Sequence, residues 1–124
     1  MLFAGALAVA VTCESAPGAG RVRCEARVEP SRAVDAGVAS APEIAWADLV
    51  VVKTSPFLTA LRGRIAPAEA SERTANRWTF AFALVARERG TGQVVVRARA
   101  VLCAAGGGGC APVEREASAD VERR

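Results

Sequence analysis

Hydrophobic and polar residues alternate along much of this chain with a period of two, the spacing of a strand with one buried face. In residues 21–29, Val22, Cys24, Ala26 and Val28 fall on one side, and Arg21, Arg23, Glu25, Arg27 and Glu29 on the other. The pattern is clearest over residues 77–103. There Trp78, Phe80, Phe82, Leu84 and Ala86 share one face, and after the polar stretch RERGTGQ the same parity resumes with Val94, Val96, Ala98, Ala100 and Leu102. Two such runs joined by a short Gly-containing segment predict a β-hairpin. Pairing inward residues with inward residues requires an odd loop, with Gly90 as the left-handed residue closing a type I turn. A β-branched residue at Gly90 is then expected to destabilise the hairpin.

Between these runs, IAWADLVVVK (residues 44–53) ends in a β-branched stretch that suits a strand covered on both faces. Ser40, Pro42 and Glu43 also make a capping box, so a short helix over residues 41–48 competes with that strand. Residues 57–65 read as a weaker strand interrupted by Gly63, and residues 66–76 as a surface loop or a single helical turn after Pro67. Five strand candidates and no long helix predict an all-β chain folded as a small antiparallel β-sandwich.

The first twelve residues, MLFAGALAVAVT, are apolar and uncharged and lead into a Ser/Pro/Gly-rich stretch. They have the length of a signal-peptide core and are too short to span a bilayer. Ala8-Val9-Ala10 fits the small-x-small rule for cleavage after Ala10. A run ending at Cys13 also resembles bacterial lipoprotein precursors, which implies a lipidated Cys13 and membrane attachment. No Lys or Arg precedes Arg21, so the basic segment of an export signal is missing, and an upstream start or an ordinary buried N-terminal segment are the alternatives. The resulting organisation is a signal-like segment over 1–12, a polar linker over 13–20, a β-sandwich domain over 21–104, and a Gly-rich loop with a mobile polar tail over 105–124.

Four cysteines occur as two near pairs, Cys13 with Cys24 and Cys103 with Cys110. Three connectivities are open to them. The bridge from Cys103 to Cys110 is the easiest to close, because the intervening glycines restrict the return path little. Their spacings are too long for zinc knuckles, and no C-x-x-C redox motif exists. An even set of cysteines without metal spacing points to an oxidising compartment: periplasmic, outer-membrane-anchored or extracellular.

The order Cys24, Trp46, Cys103 on separate strands resembles the immunoglobulin pattern, in which a bridge crosses between sheets and a Trp packs on it. That resemblance implies an immunoglobulin-like sandwich with a buried Trp. It departs from the pattern in having no Tyr for a tyrosine corner.

Composition narrows the chemistry. The 124 residues include 28 Ala, 15 Arg, a single Lys, no His and no Tyr, with net charge +3. Without His, imidazole bases, Ser-His-Asp sites and His-ligated metals are excluded. Most Arg residues have acidic neighbours in the chain, which disfavours a nucleic-acid partner. No cofactor or metal is expected. Other candidates have bland readings: Asp48 as a strand residue bonding a neighbour, Lys53 with Ser55 as a strand boundary, Glu69 and Glu72 as solvated loop carboxylates, and Gly106 to Gly109 as a connector. The expected function is therefore a non-catalytic structural or interaction module of a bacterial envelope or secretome, with an unidentified protein or envelope partner. The alternative is a small-ligand or carbohydrate-binding module whose face draws on Trp46, Trp78, Arg97 and Arg99. A solvent-facing Trp beside Arg97 or Arg99 would favour ligand binding, and two buried Trp residues the plain scaffold.

Overall fold

In a computed structural model, which describes residues 6–31 and 42–124, the chain folds as two antiparallel sheets packed face to face. Strands β1 (Leu7–Cys13), β2 (Gly20–Pro30), β7 (Trp78–Ala86) and β4 (Leu58–Ala60) form the first sheet in that order, with the short β6 (Glu72–Arg73) also on β7. The second sheet runs β5 (Arg64–Ile65), β3 (Glu43–Thr54), β8 (Gly90–Cys103) and β9 (Cys110–Arg123). A 3-10 turn, Pro67–Glu69, is the helical turn, one of the two options open after Pro67. The small antiparallel β-sandwich is thus the observed fold. Residues 43–54 take the strand option, and Ser40 of the competing capping box lies outside the described residues.

The alternation builds the core. Val22, Ala26, Val28, Phe80 and Leu84 face inward from the first sheet. They meet Leu49, Val94, Val96, Ala98, Leu102 and Val121 from the second, all at 0% exposure. Burying these side chains removes apolar area at about 25 cal/mol per Å2, although the many alanines keep that area small.

The hairpin expected over residues 77–103 does not form. β7 pairs with β2 on one side and with β4 and β6 on the other, whereas β8 pairs with β3 and β9. Residues 87–89 carry the chain from one sheet to the other, so Phe80, Phe82 and Leu84 oppose the even-numbered residues of β8 across the core. An arch between sheets and a hairpin bury the same parity of residues, which is why alternation cannot separate them. Nor is Gly90 left-handed: among the described residues, those with positive φ are Gly18, Gly20, Gly106, Gly107 and Gly109. Gly90 sits close to Phe57 instead: a Cβ there would lie 3.3 Å from the ring, which would have to give by a few tenths of an ångström.

Two terminal expectations also change. Residues 7–13 form an edge strand in full register with β2, from Leu7 opposite Pro30 to Cys13 opposite Cys24, and Leu7 is buried. Residues 110–123, expected as part of a mobile tail, pair with β8 along their whole length, from Cys103 opposite Cys110 to Gly90 opposite Arg123. Arg123 is itself buried, and its guanidinium donates to the carbonyls of Gly18 (2.8 Å) and Ala19 (3.3 Å), fastening the end of β9 to the β1–β2 turn. A polar composition concealed this strand, because only Ala119, Val121 and Arg123 of β9 are buried.

Candidate functional site

The outer face of the second sheet arranges its side chains in rows across β3, β8 and β9. One row is Trp46, Val101 and Pro112; the next is Asp48, Arg99 and Glu114; the third is Val50, Arg97 and Glu116, with Arg64 of β5 beside Val50. An apolar strip thereby lies directly against a charged one.

Trp46 reaches this face because β3 is irregular. The register slips between Ile44, which faces the core, and Trp46, which is paired with Val101 on the outside. A bulge of this kind places an extra residue in one strand and reverses the facing of the residues beyond it. Trp46 is 37% exposed, while Trp78 lies in the core at 7% with the Arg73 guanidinium 5.7 Å from its ring centre. Of the four residues considered for a ligand face, the structure therefore brings Trp46 and Arg99 together, sets Arg97 one row away, and puts Trp78 on the other sheet.

Asp48 organises the charged row. It points outward yet has no solvent contact, because two guanidiniums cover it. Arg99 Nε donates to Oδ1 at 2.8 Å and Arg99 Nη2 to Oδ2, while Arg64 Nε donates to Oδ2 at 2.8 Å. Burial pushes the Asp48 carboxyl up, but the hydrogen bonds and charges of Arg99 and Arg64 outweigh it and hold the group below its ordinary value. In return the bond to Asp48 raises Arg99, and the bond to Glu116 raises Arg97, whose Nη2 lies 2.5 Å from the carboxylate. Arg99 Nη1 and both terminal nitrogens of Arg64 make no bond to Asp48. Free N–H groups in a fixed plane therefore remain beside the indole.

Trp46, Arg64, Arg99, Val101, Pro112 and Glu114 line an open recess of about 510 Å3. It offers a flat apolar platform, planar donors on one flank and the Glu114 carboxylate as an acceptor. The sequence held a signal for this arrangement: Leu49 and Ala47 face the core, so Asp48 and Trp46 must share the opposite face. Reading Trp46 as a core residue required the alternation to continue from Ile44 without a bulge.

Lys53 is exposed on β3, and the other remaining candidates have structural partners or places. Ser55 Oγ accepts the Gln93 N–H at 2.9 Å. Glu69 pairs with Arg62 and accepts the Ala66 N–H, and Glu72 accepts from the Thr79 hydroxyl. Gly106 to Gly109 lie in the turn between β8 and β9, where three of them take positive φ. No group of three or more His, Cys, Asp or Glu among the described residues is placed to hold a metal ion.

Cysteine pairing is local. Cys13 is bonded to Cys24 and Cys103 to Cys110, with Cα atoms 4.1 and 4.0 Å apart. Each bridge joins neighbouring strands within one sheet, so the cross-sheet bridge of the immunoglobulin pattern is not made, and Trp46 packs on neither the core nor a bridge through it. With its sulfur in a disulfide, Cys13 is not available for lipidation in this structure.

No protein-family model matches the chain, and no curated protein does. Among solved structures, the chain is similar to AggA, the major subunit of aggregative adherence fimbriae type I from Escherichia coli. The two are 10% identical over 95% of each chain, with a TM-score of 0.43, a level of likeness that adds nothing to the chemistry of the face described above.

Proposed function

We propose that this protein is an exported, non-catalytic binding module that holds a saccharide on the outer face of its second sheet. The carrying observation is an exposed Trp46 beside guanidiniums that a buried carboxylate fixes in place. Sugars present a C–H face that packs on an aromatic ring and a rim of hydroxyls that pair with planar donors and acceptors. Arg64 and Arg99 supply the donors, and Glu114 an acceptor. Because Asp48 has already oriented Arg99, less side-chain freedom is lost on binding. Open, shallow geometry suits one repeat of a longer chain better than an enclosed small molecule. Two disulfides support export, since such bridges persist in oxidising compartments.

The test is binding of the full chain to an immobilised oligosaccharide array containing neutral hexose, N-acetylhexosamine and uronic-acid chains. Trp46→Ala is expected to abolish retention, and Arg99→Gln to weaken it about tenfold, the loss of roughly one charge-assisted hydrogen bond. Retention unchanged by Trp46→Ala, or no retention of the unmodified protein on any chain, would overturn the proposal.

A further inference from the structure

The opposite face of the sandwich carries a second recess of about 510 Å3, formed where the first sheet is interrupted. After β4 the chain leaves that sheet, pairs as β5 with β3 of the other, and returns as β6. β7 is therefore covered on this side only at its two ends. The Ala83 carbonyl accepts the Leu61 N–H at 3.1 Å, and the Thr79 carbonyl accepts the Ser71 N–H at 2.8 Å. In an antiparallel strand, alternate residues direct both N–H and C=O to the same side. Ala81, midway between them, must aim its N–H and C=O into the gap, where it has no backbone partner among the described residues.

The gap is edged by cations and apolar surface, with the Glu69 carboxylate in its lining and Glu25 opposite Ala81 on β2. Arg21, Arg23 and Arg62 line the recess with the exposed Leu61, and Phe82 forms part of its wall. Arg62 is paired with Glu69, while Arg21 and Arg23 have no ion-pair partner among the described residues. A single strand residue offering one donor and one acceptor, in a recess where the guanidiniums of Arg21, Arg23 and Arg62 outnumber the Glu69 carboxylate, is complementary to a group that carries an amide N–H next to a carboxylate.

We propose that this gap binds the C-terminal carboxylate of an extended peptide. The peptide's last amide N–H donates to the Ala81 carbonyl, one carboxylate oxygen accepts the Ala81 N–H, and Arg23 and Arg62 neutralise the charge. Its last side chain lies on the outer face with Ala81, against the exposed Leu61. Only one residue can pair before β4 and β6 block the strand on either side, which selects a chain end over an internal segment. Charge complementarity selects the carboxyl end over the amino end.

Titration of the 15N-labelled full chain with acetyl-Ala-Leu, and with the same peptide ending in an amide, tests the assignment. Saturable shifts of the Ala81 and Leu61 amides are expected with the acid, with at least about tenfold weaker binding of the amide. A double substitution, Arg23→Gln with Arg62→Gln, should weaken the acid about tenfold while leaving resonances of the second sheet in place, which reports an intact fold. Equal shifts by acid and amide, no shift of Ala81 at millimolar acid, or equally tight binding of inorganic phosphate at the same amides would each overturn it. These outcomes are independent of Trp46 and of saccharide binding.

Discussion

The two outer faces of the sandwich use the same residue types to different ends. On the second sheet, Asp48 has lost its water to two guanidiniums, which are 42% and 51% exposed, and the charges hold one geometry beside Trp46. On the first sheet, Arg21, Arg23, Glu25, Arg27 and Glu29 project from β2 toward solvent, and the ion pair that β2 makes among the described residues, Glu29 with Arg77, is a single 3.7 Å contact between half-exposed groups. A charge becomes a structural element when its partners displace its water, and otherwise stays hydrated and adds little to stability. The disulfides differ in the same way: Cys24 is buried on the inner side of the first sheet, while Cys110 is exposed at the turn end of the second.

Reduction is the largest perturbation that separates the two sheets. Bridges 11 and 7 residues apart close short loops, each worth about 2 to 3 kcal/mol by chain entropy. In a sandwich whose core is rich in alanine, losing both removes a large share of a net stability of about 5 to 15 kcal/mol, and the melting temperature should fall by many degrees. The exposed Cys103–Cys110 bridge is expected to open at lower reductant concentration than the Cys13–Cys24 bridge, as mass spectrometry of alkylated samples would show. An unchanged melt in reductant would mean that the disulfides contribute little to stability.

Replacing Asp48 comes next. Asp48→Asn keeps the shape but leaves two guanidiniums without their carboxylate. Removing one partner of a fully buried pair costs about 3 to 5 kcal/mol, and since both arginines can turn to water the expected loss here is nearer about 1 to 2 kcal/mol in urea denaturation. The same residue gives the second sheet a pH dependence. Its folded carboxyl titrates below the unfolded value, so the stabilisation is complete above about pH 4 and is lost as pH falls through the folded value. Asp48→Asn should abolish that part of the acid limb. An identical acid limb in the variant would place the titrating group elsewhere.

Much of the sandwich was legible because alternation reports which residues point inward, and most of the core residues of β2, β7 and β8 obey it. Partner choice was not, because an arch and a hairpin bury the same parity, so alternation alone pairs β7 with β8 wrongly. β9 was missed for a different reason. As an edge strand it buries few side chains, and its polar sequence reads as a tail although its backbone bonds run the length of β8. The recess at Trp46 was half legible: Trp46 and Arg99 stood out by residue type, but their meeting depends on a bulge that alternation alone does not announce. Arg64 was missed outright, since a two-residue strand after Gly63 gives no periodic signal.

The smallest effect is the one that bears most directly on the comparison. In a double-mutant cycle, Glu29→Gln with Arg77→Gln should give a coupling of about 0.5 kcal/mol or less, because both groups keep most of their hydration and sit 3.7 Å apart. The matching cycle of Asp48→Asn with Arg99→Gln should give clearly more, since Arg99 binds the carboxylate with two donors and shields it from water. Equal couplings would mean that Asp48 recovers its hydration by letting the guanidiniums swing away. The recess beside Trp46 would then have no fixed donors, and the saccharide reading would lose its physical basis even if the fold were unchanged.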